Sequence, residues 1–125
     1  MSINRYVAVG NLTHDVEMRK TKTGSSVMNF TVAVNNRVKN SQTGEWESLP
    51  CYVPCVMFGS RADSISNMIH KGSKVGIDGH LSQNNWEDKQ GNRRSKLEVI
   101  VEEIDLNPDK GKDRVGYYDD YSDAF

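Results

Sequence analysis

Cys51-Tyr52-Val53-Pro54-Cys55-Val56-Met57-Phe58 is the stretch on which the reading of this chain turns. Its odd positions carry Cys51, Val53, Cys55 and Met57, and its even positions Tyr52, Pro54, Val56 and Phe58. On an extended chain successive side chains point to opposite faces, so Tyr52 and Phe58 share one face and the smaller apolar set packs beneath. Lys74 to Trp86 divides in the same way. Val75, Ile77 and Leu81 fall on odd positions, with Lys74, Asp78, His80 and Trp86 on even ones. A sheet with a core on one side and spaced aromatics among cations on the other predicts a surface on which nucleic-acid bases stack.

Further strands flank these two, at the short spacing of a small β barrel. Ile3 to Leu12 reads as the first, with Val7 and Val9 on one face. Gly10 suits a bulge or bend that lets this strand curve on towards Val16 and Met18. After a turn at Thr23-Gly24-Ser25, Met28, Phe30, Val32 and Val34 give a clean period of two against Asn29, Thr31, Asn35 and Arg37. Residues 35–47 read as a long polar hairpin loop. One helix interrupts the strands: Ser60 is its expected N-cap, with Asp63 completing a capping box. Ile65, Met68 and Ile69 form its apolar stripe, and Gly72 suits a left-handed C′ position. Asp88 to Asn92 reads as a hairpin tip, from which Arg93 to Leu106 returns. There the apolar phase shifts from Leu97, Val99 and Val101 to Ile104 and Leu106, as in a bulged closing strand. Three strands, a helix and two strands predict an all-β fold with one short helix, the five-stranded Greek-key barrel called the OB-fold.

Residues 1–106 form the expected barrel domain. From Asn107 the apolar pattern stops, and 107–125 read as a disordered linker with an acidic C-terminal tip. At 125 residues the chain is one domain by length. It shows no apolar run near the ~20 residues that span a bilayer and no charged-then-apolar leader, so a soluble, cytoplasmic protein is expected. The net charge of −1 hides an asymmetry. Residues 1–104 hold 13 Lys and Arg against 11 Asp and Glu, and residues 105–125 hold 3 against 6. The body is mildly basic and the tail acidic. Cys51 and Cys55, four apart on a strand, would stand about 13 Å apart. A disulfide needs less than ~7 Å, so two buried core thiols are expected. His14, His70 and His80 lack metal spacing, and there is no nucleophile–His–acid set or phosphate-cradling glycine loop. A non-enzymatic binding protein without cofactor or metal is the expectation.

Several segments together resemble the bacterial and phage single-stranded DNA-binding protein family. Asn4-Arg5-Tyr6-Val7-Ala8-Val9-Gly10-Asn11-Leu12 resembles the family's opening strand, and Val56-Met57-Phe58-Gly59 its strand-to-helix junction. Lys71-Gly72-Ser73-Lys74-Val75-Gly76-Ile77-Asp78-Gly79-His80-Leu81 resembles the strand after the helix, and Trp86-Glu87-Asp88 with Gly91 the next hairpin. The acidic end with its terminal Phe125 resembles the family's partner-binding tip. The resemblance implies sequence-nonspecific binding of single-stranded DNA in replication, recombination and repair, in a cytoplasmic, nucleoid-associated homotetramer. It implies stacking by Tyr52, Phe58 and Trp86, the residues that alternation also selects. Expected phosphate contacts are Arg5, Arg19, Lys20, Lys22, Arg37, Lys39, Lys74, Lys89, Arg93, Arg94 and Lys96. Asp119, Asp120, Asp123 and Phe125 would form the tip that recruits replication and repair proteins. The chain departs from the family pattern in three places: Val38 stands where some members carry a further stacking tryptophan, Ala124 replaces the tip's usual proline, and the linker is short. Trp46 lies near the polar loop as a partial substitute for the missing ring. Two other readings stay open: an OB adaptor for protein assembly of primosome type, and an RNA-binding OB module.

Overall fold

The structure is a computed structural model that describes residues 2–106. Six strands and one helix follow the chain as β1 (Tyr6–Leu12), β2 (Glu17–Lys20), β3 (Ser26–Lys39), β4 (Trp46–Phe58), α1 (Ser60–Ser66), β5 (Lys74–Glu87) and β6 (Arg93–Asp105). β1 pairs with β5, β5 with β6, β6 with β4, β4 with β3, and β3 back with β1. These five strands close a ring, with β4 and β6 its one parallel pair. This is the OB barrel that the element order predicts, and β2 extends it by pairing with β3.

The inward face repeats every second residue. Met28, Phe30 and Val32 from β3 meet Val53, Cys55 and Met57 from β4, Val75 and Ile77 from β5, and Val99, Val101 and Ile104 from β6. Burying each of the larger side chains contributes roughly 1.5–3 kcal/mol relative to leaving it exposed. Ala62, Ile65 and Ile69 close one end of the barrel. Cys55 is buried, and loss of water pushes its thiol up to about 12.

Two close backbone approaches make the closure possible. β1 pairs with β5 from Tyr6 and then also meets β3 at Asn11 and Leu12. A Cβ on Gly10 would strike the Ala33 carbonyl oxygen. Where Asp78 faces Glu103 and Gly79 faces Val101, Glu102 is the extra residue of a bulge. That insertion produces the phase change read in the last strand. A Cβ on Gly79 would strike the Ile100 carbonyl oxygen.

Five local expectations are corrected. The first strand does not run on to Met18: the chain leaves β1 after Leu12, and Met18 belongs to a separate β2. Residues 35–47 are not a long loop, because β3 and β4 stay in register from Asn35↔Pro50 to Lys39↔Trp46. This ribbon has water on both faces, so it needs no apolar alternation and reads as loop. The helix is capped by Gly59 with no side-chain cap bond; Asp63 instead accepts the buried Ser26 hydroxyl at 2.7 Å. The helix ends at Ser66, so Met68 lies beyond it at 62% exposed, and Gly72 turns left-handed (φ 90°) in a later turn. Of the two thiols, Cys55 is buried and Cys51 exposed.

Candidate nucleic-acid interface

The strand pairings define the outer face. Inward-pointing Cys55 and Val99 are partners, so their neighbours Val56 and Ile100 both face out. Tyr52 and Phe58 alternate with the buried Val53, Cys55 and Met57, and Val56 on their face is itself buried. Tyr52 is 64% exposed and Phe58 52%. Val27 lies opposite Phe58 on β3, and Arg19 lies opposite Val27 on β2, which places a cation two strands from the ring. On β5, Trp86 is 45% exposed and pairs with Arg94, while Asn84 pairs with Lys96. The three aromatics thus stand on outward positions of β4 and β5, with β6 between the two strands.

Local structure fixes Arg94 beside Trp86. At the β5–β6 tip, Asp88 Oδ1 accepts the backbone N–H groups of Gln90 and Asn92, both at 2.9 Å. Its Oδ2 accepts Arg94 Nε–H at 3.0 Å. The Asn92 backbone N–H and then the Arg94 guanidinium hold the Asp88 carboxyl below the usual carboxylate range. Asn85, Trp86, Glu87, Arg93, Arg94 and Ser95 line a cleft of about 490 Å³ at this tip. β4 and β6 pair only at Cys55↔Val99 and Val56↔Ile100. Next to that pairing lies a groove of about 280 Å³, lined among others by Asn29, Pro54, Lys96 and Glu98. Pro54, which has no N–H to donate, stands just before the pairing begins.

The expected cations separate into groups. Arg19, Arg37, Lys39, Arg94 and Lys96 occupy outward positions, with Arg94 directly across from Trp86 and Lys39 directly across from Trp46. Lys22 and Lys89 sit in exposed turns. Arg5 is committed to Asp78 through two hydrogen bonds of 3.0 and 2.6 Å. Lys20 donates to Ser26 Oγ at 2.8 Å, on the side of the core. Arg93 pairs with Glu87, on the opposite face from Trp86. Lys74 begins β5 opposite Asn11, far along the strand from Trp86. Asp119, Asp120, Asp123 and Phe125 lie outside the described residues.

Sequence reasoning left Trp46 near a loop, whereas the structure sets it in β4 at 60% exposed, with the Arg37 guanidinium 5.6 Å from its ring centre. The signal was its even number: 46, 52 and 58 are equally spaced on one strand. Val38 pairs with Glu47 on the other face of the ribbon.

The single-strand binding protein family matches residues 3–107. The chain belongs to this family. It is 44% identical over 104 residues to a single-stranded DNA-binding protein of Lactiplantibacillus plantarum, covering 83% of this chain and 50% of the relative. It is 41% identical over 110 residues to single-stranded DNA-binding protein A of Bacillus subtilis, covering 87% and 62%. The chain thus spans about half to two-thirds of the length of these relatives. In three dimensions it resembles the crystal structure of a deletion mutant of the single-stranded DNA binding protein from Thermus aquaticus. That match has a TM-score of 0.73 and 25% identity, covering 82% of this chain and 49% of the other.

Proposed function

We propose that this chain binds single-stranded DNA without sequence preference, stacking bases on Tyr52, Phe58 and Trp86. The observation that carries the reading is the exposure of these three rings on the outward face of a family barrel whose core is built from apolar side chains. Rings of this size belong in a core unless something else covers them. Every base has a π-face, so stacking is tolerant of sequence. Arg19, Arg94 and Lys96 supply charge for phosphates, and the names of the relatives point to the same polymer. The role is protection of exposed strands in replication, recombination and repair, in the cytoplasm.

The reading extends to assembly and recruitment. Residues 1–106 act as the DNA-binding domain and 107–125 as a tail. There Asp119, Asp120 and Asp123 place negative charge close in sequence to the aromatic Phe125. That chemistry suits an apolar pocket with a basic rim on a replication or repair protein. Ile3, Val7 and Val9 are exposed beside the edge of β1 that β5 leaves free, which supports a homotetramer.

Titrating poly-dT while following tryptophan emission tests the function. Strong, saturable quenching that poly-rU competes for only weakly is expected. No quenching would favour a protein-assembly adaptor, and equal competition an RNA-binding module.

A further inference from the structure

We infer that Asp88 is a positioning residue: it holds the Arg94 guanidinium beside Trp86 with its outer edge free for a DNA phosphate, so that an acidic side chain strengthens the binding of a polyanion. The inference rests on the function proposed above and gives a role to a residue outside its rings and cations.

The β5–β6 tip builds a rigid seat for the Asp88 carboxylate. The Asp88 N–H donates to the Asn92 carbonyl at 2.9 Å, and the Gly91 N–H to the Asp88 carbonyl at 3.1 Å. Gly91 takes the left-handed φ of 83° that this tight turn needs. With Oδ1 bound to two backbone N–H groups, the carboxylate cannot swing away. The Asn92 N–H, and then Arg94, also hold its pKa below the usual carboxylate range, so it stays charged. Its side chain is 21% exposed, against 58% for Arg94. The fixed partner is thus the acid, and the long cationic side chain takes its place from it.

The contact uses one edge of the guanidinium. Oδ2 accepts the Nε–H at 3.0 Å, and among the described residues the Nη groups have no other partner. The guanidinium is a planar fork, so its Nη1–Nη2 edge can bind two phosphate oxygens without breaking the Nε bond. Carboxylate and phosphate therefore do not compete for Arg94. An arginine gives up much rotamer freedom when it is ordered, and Asp88 imposes that loss before DNA arrives. Arg94 also stands directly across from Trp86, near enough to settle on the indole. Yet among the described residues the only cation over a ring is Arg37, over Trp46. Asp88 keeps Arg94 off the Trp86 ring, which leaves the ring for a base.

Charge alone predicts the opposite sign, since removing a carboxylate from a DNA-binding face should tighten binding. A double-mutant cycle in the full chain decides between them. Affinity for a fluorescein-labelled oligo-dT is measured by anisotropy at low salt for wild type, Asp88→Asn, Arg94→Ala and the double variant. Asp88→Asn is the sparing change, because its amide oxygen still accepts the Gln90 and Asn92 N–H groups and only the acceptor for Arg94 is lost. It should weaken binding by about three- to tenfold, and Arg94→Ala by a similar factor. Added to Arg94→Ala, it should cost nothing further, since no guanidinium is left to hold. Unchanged or tighter binding by Asp88→Asn overturns the inference. So does an equal loss with and without Arg94, which would make Asp88 a support of the tip alone, and so does full affinity in Arg94→Ala. Each of these leaves the proposed function standing, whereas absence of binding by the wild-type chain overturns both.

Discussion

Cys51 and Cys55 lie four residues apart on one strand and have opposite chemistry, because the barrel wall ends between them. Cys55 sits among Phe30, Val32 and Val99 in the core, where its thiol is pushed up to about 12. Only the thiolate reacts with alkylating agents, and the buried group is both protonated and out of reach. Iodoacetamide at pH 8 should therefore label one thiol per native chain, at Cys51, and two after denaturation. Mass spectrometry after proteolysis checks this, and equal native labelling would mean that β4 does not bury Cys55. The alternation of residues 53 to 58 was legible because a core lies on one side. It misplaced Cys51 because period alone does not say where the wall stops. Trp46 was misread for the same reason: a ribbon wet on both faces carries no apolar rhythm.

Glycines allow two close strand approaches, Gly10 of β1 against β3 and Gly79 of β5 against β6. At Gly10 and Gly79 a methyl group would meet a neighbouring backbone carbonyl, which cannot swing aside as a flexible side chain can. Gly79→Ala should thus destabilise the fold by about 3 kcal/mol or more, and Gly10→Ala comparably. By contrast, Gly76→Ala meets its nearest heavy atom, Asp105 Cβ, at 3.4 Å and should cost far less. Urea unfolding of the three variants measures the difference. A small loss at Gly79 would mean that the bulge at Glu102 relaxes freely. The phase change in β6 announced this bulge in the sequence, since two apolar sets on one strand cannot face one core without an insertion. The helix start was less legible. Asp63 has the spacing of a capping box with Ser60, but its partner is Ser26, a hydroxyl 37 residues away that spacing does not reveal.

Across the whole molecule, a mildly basic body and an acidic tail share one short chain. Deleting residues 117–125 should abolish partner recruitment and leave DNA affinity unchanged or slightly higher at low salt. Pull-down of replication proteins alongside oligo-dT binding distinguishes this from a tail that belongs to the DNA site, whose loss would weaken DNA binding instead. If the rings supply stacking and the cations supply phosphate contacts, the two kinds of substitution should fail in different ways. The most direct test is the affinity for oligo-dT across a series of salt concentrations. Wild type is compared with Tyr52→Ala, Phe58→Ala, Trp86→Ala and Lys96→Ala. Trp86→Ala should lose about 1–3 kcal/mol with its log–log slope unchanged, and Phe58→Ala and Tyr52→Ala the same or less. Lys96→Ala should shallow the slope by about 0.7 for the one phosphate it releases. Unchanged affinity in all three aromatic variants would contradict the account.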